Sequence, residues 1–206
     1  MRSNHYEEAI QTMSKLIFFL GGAGSGKTTL AKALSRKYKA AFFDMDILLR
    51  PAAEAIMTLQ GLDPSDRDSP EYKRLCRDLG YRITMDAALD NVQLGIDTVV
   101  VGPFTKEIGT PDWIEQELAR IGRSLDDTDV RVAYIYLANE ALYRERITDR
   151  QSPLDEWKLE NWDAFTASLT RKQIAWPLPA SAVAYIDNSD ESPDIAFAEV
   201  EQRIYE

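Results

Sequence analysis

Residues Gly21–Thr28 read Gly-Gly-Ala-Gly-Ser-Gly-Lys-Thr and satisfy the phosphate-binding pattern G-x-x-x-x-G-K-[ST]. They follow Lys15-Leu-Ile-Phe-Phe-Leu20, a short β-prone apolar run, and precede Thr29-Leu-Ala-Lys-Ala-Leu-Ser-Arg36, which has helical spacing. The strand–loop–helix context separates a working loop from a chance match, and it confines the chain to folds that supply one. Glycines let the backbone turn its N–H groups inward around a polyphosphate, and the helix N-terminus adds partial positive charge. The backbone of Gly22, Ala23, Gly24, Ser25, Gly26, Lys27, Thr28 and Thr29 is therefore expected to hold a nucleoside triphosphate. Lys27 is expected to reach the β- and γ-phosphates, and the Thr28 hydroxyl to bind Mg²⁺.

The rest of the chain continues the alternation of strands and helices. Ala40–Asp44 reads as a second strand ending in Asp44-Met-Asp46, and Thr98–Val101 as a third, all apolar and β-branched like a strand buried on both faces. Val130–Leu137 and Ala182–Asp187 read as the fourth and fifth strands. Residues 47–95 form a helical excursion between strands two and three, broken at Gly61–Asp66 and at the cap-like Ser69-Pro70. The long helix after Pro70 is expected to bury Leu75, Leu79, Ile83, Ala87 and Val92. A helix start at Pro111–Leu118 follows, then helices over Glu140–Arg150, Glu156–Trp176 and Ile195–Tyr205. In the leader, residues 1–14, Tyr6, Ile10 and Met13 share one helical face; the main domain then spans 15–206. The expected architecture is α/β, in three layers: a five-stranded parallel sheet with helices on both faces and a small lid. Ligands then belong at the carboxyl ends of the strands, where Gly21, Asp44, Gly102 and Asp187 all fall.

Charge and composition narrow the function. At a formal net charge of -10 the chain is repelled by phosphate backbones and anionic lipid, so neither a nucleic acid nor a membrane partner is expected. Cys76 is the only cysteine, which excludes an intrachain disulfide and fits the cytoplasm; its place in a helix predicts a buried, inert thiol. His5 is the only histidine, so histidine catalysis and His/Cys metal sites are not expected. No secretory signal is visible, and no run approaches the roughly 20 apolar residues that span a bilayer.

In element order and in its glycine loop, the chain from Lys15 to Glu206 resembles the P-loop kinases of small molecules, the superfamily of nucleoside monophosphate, shikimate and gluconate kinases. It looks most like the branch with polynucleotide 5′-kinases and antibiotic phosphotransferases. In similar kinases an aspartate of an Asp-x-Leu segment after strand two meets the acceptor hydroxyl. Asp46-Ile-Leu-Leu-Arg-Pro51 has that form, so the resemblance assigns Asp46 as base, with Arg50 beside it on the acceptor side. Asp44 then holds a magnesium-bound water; the competing reading for either aspartate is a solvated turn or helix N-cap. No carboxylate ends strand three, which shifts the magnesium burden to Thr28 and Asp44. Gly102-Pro-Phe-Thr-Lys106 occupies the place where related kinases present acceptor-site residues: Gly102 for close backbone approach, Phe104 as a hydrophobic wall, Thr105 or Lys106 as a polar contact. A plain β–α turn explains the same segment.

The resemblance also places a lid at 144–162, with Arg146 on adenine and Arg150 on the phosphates; the two share one helix face while Arg144 points elsewhere. Gln151–Asp155 is its mobile part, closed by Trp157, Lys158 and Trp162 unless these tryptophans belong to the core, and Asn188 contributes to the adenine pocket. The expected activity is ATP- and Mg²⁺-dependent transfer of a phosphoryl group to a hydroxylated small molecule, by a monomer or homodimer. A nucleotide or polynucleotide 5′-kinase is the alternative within enzymes, and an ATP-binding regulator with weak ATPase activity the alternative outside them. Glu54, Asp63, Asp66, Asp68, Glu71 and Asp86 give the acceptor wall an acidic lean that favours a cationic acceptor.

Overall fold

In the computed structural model, which describes residues 13–190 and 192–206, five parallel strands run in the order β2-β3-β1-β4-β5. They are β1 (Lys15–Leu20), β2 (Ala41–Asp44), β3 (Thr98–Val101), β4 (Asp129–Tyr136) and β5 (Val183–Asp187). Pleating sends alternate residues of β1 to opposite faces, and each face is apolar. Leu16, Phe18 and Leu20 pack with Val100, Val132, Met85, Leu89 and Ile114 on one side. Ile17 and Phe19 pack with Val99, Val101, Leu30, Leu34, Ile186 and Val200 on the other. The expected three-layer sandwich follows directly, since a central strand that is apolar from Leu16 to Leu20 on both faces can only lie between two helical layers.

Helix α1 (Lys27–Tyr38) and α9 (Pro193–Val200) cover the second face. Helix α4 (Asp78–Gln93) and α5 (Trp113–Ala119) cover the first. Helix α2 (Met45–Leu59) leaves β2 without a loop, because Asp44 caps it, accepting from Asp46 N and Ile47 N. A single turn, α3 (Pro70–Tyr72), is capped by Ser69 with Pro70 in its first turn, as its sequence predicts. Among the described residues no helix is long and apolar enough to cross a membrane.

Three expectations need correction, and one lies out of reach. Of the stripe expected on the long helix only Val92 is fully buried: α4 also buries Gly80, Tyr81, Thr84, Met85, Ala88 and Leu89, while Ile83 and Ala87 are partly buried and Leu79 is exposed. Two causes combine. A π-turn at Lys73–Arg77 accommodates an extra residue and rotates the face. At Gly80 a Cβ would lie 2.7 Å from Leu49 Cδ2, so close approach of α2 selects a small residue that hydrophobicity does not flag. The helix expected over Glu156–Trp176 is instead α7 (Glu156–Glu160) and α8 (Trp162–Ser168), with no regular structure over 170–175. There Ala175 N donates to Ile108 O at 2.8 Å and Trp176 Nε1 to Glu107 O at 2.9 Å, so the chain is drawn across the core face to seat the Trp176 ring. The closing helix ends at Val200 and continues as a π-turn over Glu201–Tyr205. The leader's expected helix, with Tyr6 and Ile10, lies outside the described residues, which take in only Met13 and Ser14 of the leader. Cys76 is buried, and burial pushes its thiol pKa up, as suits an inert core residue.

Candidate functional site

Chain order reverses about β1: the chain crosses to β2 and β3 on one side, then to β4 and β5 on the other. The crevice outside the carboxyl end of β1 is therefore where a ligand belongs, and the glycine loop emerges there. Gly21 follows Leu20 with φ 135°, and a Cβ on it would lie 2.1 Å from Ile135 O. Only glycine lets the loop leave between β1 and β4. Gly26, at φ 87°, is the N-cap of α1, and a Cβ there would meet Asn188 Nδ2 at 2.3 Å. That amide donates to Ser25 O at 2.8 Å, tying the loop after β5 to the glycine loop. The Ser25 hydroxyl is buried and has no hydrogen-bond partner among the described residues.

Lys27 opens α1 and folds back over the loop, where Nζ donates to Gly22 O at 3.2 Å. Desolvation pushes its pKa below the ordinary lysine value; Asp46 and Asp44 oppose this, while Arg150 and Lys158 add to it. Two carboxylates and two further cations thus act on the lysine. Thr28 Oγ1 donates to Asp44 Oδ2 at 3.3 Å. Asp44 is buried, and its Oδ1 accepts from Asp46 N at 3.0 Å and Ile47 N at 3.4 Å. Burial, then the neighbouring Asp46, raise its pKa against the opposing backbone donors and Lys27. Capping and proximity to Thr28 are thus both true of Asp44, one for each oxygen. Asp46 is exposed in the first turn of α2, and Arg50 is exposed one turn further on.

The opposite wall comes from α6 (Glu140–Asp149) and the loop after β5. Arg146 Nη2 donates to Asn188 O at 2.8 Å. Arg150, the C-cap of α6, extends towards the loop and lines the cleft. Arg144 turns away and lies over the Trp162 ring, 5.2 Å from its centroid. The resulting cleft of about 420 Å³ is lined by Gly24, Gly26, Lys27, Thr28, Thr29, Arg146, Arg150, Asn188 and Asp190. Asp190 was not anticipated; its position two residues beyond Asn188 in a loop at a strand's carboxyl end was the available signal. Gly22 and Ser25 instead build the loop, through the carbonyl contacts already described. Ala23, between them in the loop, is partly exposed.

The β3 side differs from expectation. Phe104 is fully buried at φ 43°, its ring packed against Phe18, Tyr81 and Trp113, so it is a core residue and offers no wall to a ligand. Gly102 lies directly beneath that ring: a Cβ there would come within 2.9 Å of Phe104 Cε2. Thr105 is exposed, and its carbonyl accepts from Lys172 Nζ at 3.2 Å. The acidic lean of the acceptor wall is also largely consumed locally. Asp63 and Asp66 accept backbone N–H groups of their own turns, Glu54 pairs with Arg67, and Asp86 is held by Arg82 and Arg120. Nor do these tryptophans belong to the core, since Trp157 is exposed and Trp162 half-buried.

Comparison with known proteins agrees with this geometry. A family model described as an AAA domain (AAA_33) matches residues 16–172. No curated protein matches the sequence. Among solved structures, a candidate kinase from Chloroflexus aurantiacus superposes with a TM-score of 0.62 at 17% identity, covering 94% of this chain and 100% of that one. A sugar kinase from Janibacter sp. HTCC2649 superposes with a TM-score of 0.57 at 14% identity, covering 93% and 94%. A gluconokinase from Sinorhizobium meliloti 1021 gives 0.51 at 13% identity, covering 92% and 93%. The chain belongs to the AAA domain family AAA_33.

Proposed function

We propose that this protein is an ATP-dependent phosphotransferase that moves the γ-phosphoryl group of ATP to a hydroxyl of a small molecule. One observation carries the reading. A single cleft brings together the glycine loop, Lys27, Thr28, Arg146, Arg150 and Asn188, while the exposed carboxylate of Asp46 opens α2 close enough to perturb Lys27. A cleft of about 420 Å³ is within the usual range for small-molecule sites.

The donor set suits magnesium. Thr28 Oγ1 and Asp44 Oδ2 are hard oxygens 3.3 Å apart, and Asp44 is a buried carboxylate whose pKa is pushed up by burial and by the neighbouring Asp46. Among the described residues no cluster of three or more His, Cys, Asp or Glu could hold a metal alone. That is acceptable for Mg²⁺, which keeps several waters and takes phosphate oxygens as ligands. When bound, it would neutralise charge on the β- and γ-phosphates.

The chain's own residues do the rest. Loop amides and Lys27 hold the phosphates and stabilise charge that grows in the transition state. Arg146 binds the nucleoside side through its place beside Asn188, and Arg150 faces the phosphates. The acceptor hydroxyl attacks phosphorus as the bond to the β,γ-bridging oxygen breaks; its proton passes to Asp46, and ADP leaves. Asp46 suits this role better than Asp44, whose two oxygens are committed to the α2 cap and to Thr28. With its acidic wall tied up in local contacts, the acceptor side supports a compact hydroxylated compound without a required positive charge.

Incubation with γ-labelled ATP, a panel of hydroxylated small molecules and 5′-hydroxyl oligonucleotides tests the proposal. Label should enter a small molecule; efficient labelling of oligonucleotides at physiological salt, or no ATP binding at all, would refute it.

A further inference from the structure

A carboxylate that is 2% exposed in a surface lid needs hydrogen-bonding and charged partners there. Asp155 ends the turn Pro153–Asp155 between α6 and α7. Its two oxygens are divided between two cations. Oδ2 accepts from Arg150 Nε at 2.7 Å and lies 2.5 Å from Nη2, while Oδ1 lies 3.2 Å from Lys158 Nζ. Lys158 is fixed in turn: it donates to Leu154 O at 2.9 Å and approaches Asp68 Oδ2, on the acceptor-side excursion, at 3.8 Å. Two positive and two negative groups thus make a neutral chain from the lid to the acceptor wall.

This arrangement treats the two edges of Arg150 differently. The Nε edge is held by a buried carboxylate, yet the side chain stays 49% exposed and lines the cleft beside Lys27. Among the described residues nothing accepts from Nη1, which leaves its N–H donors for a ligand. A long, freely rotating arginine would have to be ordered at the moment of phosphoryl transfer, whereas one already held needs no reorganisation. A surface ion pair would be worth little, but burial of Asp155 makes this one directional.

We infer that Asp155 is a positioning residue: it aims Arg150 at the transferring phosphoryl group and, through Lys158 and Asp68, fastens the lid to the acceptor side. The inference rests on the phosphotransferase reading.

Binding of MgADP, alone and with aluminium fluoride as a planar phosphoryl mimic, tests both. In the wild-type chain aluminium fluoride should tighten MgADP. Asp155→Asn should lose about 10–100-fold of that tightening, as partners that orient a site group typically contribute, while affinity for MgADP alone changes little. In an Arg150→Ala background, Asp155→Asn should have no further effect, which a merely structural role would not produce. Arg150→Lys, at an exposed position, keeps the charge but loses the fork to Asp155, and should lose as much tightening as Arg150→Ala. Full tightening in Asp155→Asn, additive losses in the double variant, or a wild-type Arg150→Lys would each overturn the inference. If Asp155→Asn does not fold, Arg150→Lys decides the matter alone. Failure of the wild type to bind MgADP would bring down the phosphotransferase reading and this inference together; normal wild-type behaviour with a silent Asp155 would bring down only the inference.

Discussion

Replacing Gly26 by alanine should damage the glycine loop by a mechanism that can be separated from ordinary strain. At φ 87° an alanine bears a left-handed backbone penalty of about 1–2 kcal/mol. Its Cβ would also stand 2.3 Å from Asn188 Nδ2, so the amide must leave and its 2.8 Å bond to Ser25 O is lost. A buried carbonyl left unpaired costs about 1–3 kcal/mol. Gly26→Ala is therefore expected to destabilise the chain by about 2–5 kcal/mol, the sum of both effects. Asn188→Ala alone should cost about 1–3 kcal/mol, for the lost bond only. The double variant should cost no more than Gly26→Ala, because alanine at 188 has no amide to expel and the bond is already gone. Urea denaturation of the four proteins without nucleotide measures the coupling, which should be about 1–3 kcal/mol. Strict additivity would refute the reasoning, since it would mean that the two residues do not compete for one place. MgATP affinity should fall in all three variants, because the amides that hold phosphate belong to the same loop.

Three other expectations follow from single residues. Lys27 has a depressed pKa in the free protein, so in alkaline solution phosphate binding should draw a proton onto it; calorimetry in buffers of different ionisation heat should show uptake on MgATP binding that vanishes in Lys27→Met. For stability the sign is reversed: the unfolded chain binds more protons between the two pKa values, so this residue's contribution should rise with pH through that window, and the wild-type minus Lys27→Met difference in urea stability checks it. Asp46→Asn should lower turnover of the labelled acceptor far more than MgATP affinity, and equal losses would make Asp46 a metal-site residue. Phe104→Ala should lower folding stability by about 3–5 kcal/mol, as emptying an aromatic core position does, with nucleotide affinity preserved in the protein that remains folded.

Much of this molecule follows from local sequence. The Lys15–Leu20 run, the glycine loop and Thr98–Val101 each announce their own conformation, because apolar alternation, positive-φ glycines and β-branched runs act within a few residues. Five residues of the cleft, Gly24, Gly26, Lys27, Thr28 and Thr29, were legible for the same reason, whereas Arg146, Arg150 and Asn188 were expected there from the resemblance to P-loop kinases, and the order of strands brings the two sets together. Phe104 was not legible. Nothing local distinguishes a buried ring from a ligand-facing one; the choice is made by Phe18 and Tyr81, which lie far away in sequence and fill the space around it. The face buried by α4 was misread because a π-turn shifts its phase and because Gly80 matters for what it lacks. Asp155 resembled any acidic loop residue until its burial between Arg150 and Lys158 was seen. Sequence by itself determined the strands and the phosphate loop, since backbone conformation suffices for these. Which side chains face the core and which face the cleft was decided only by tertiary packing, because burial and pairing depend on neighbours supplied by distant parts of the chain.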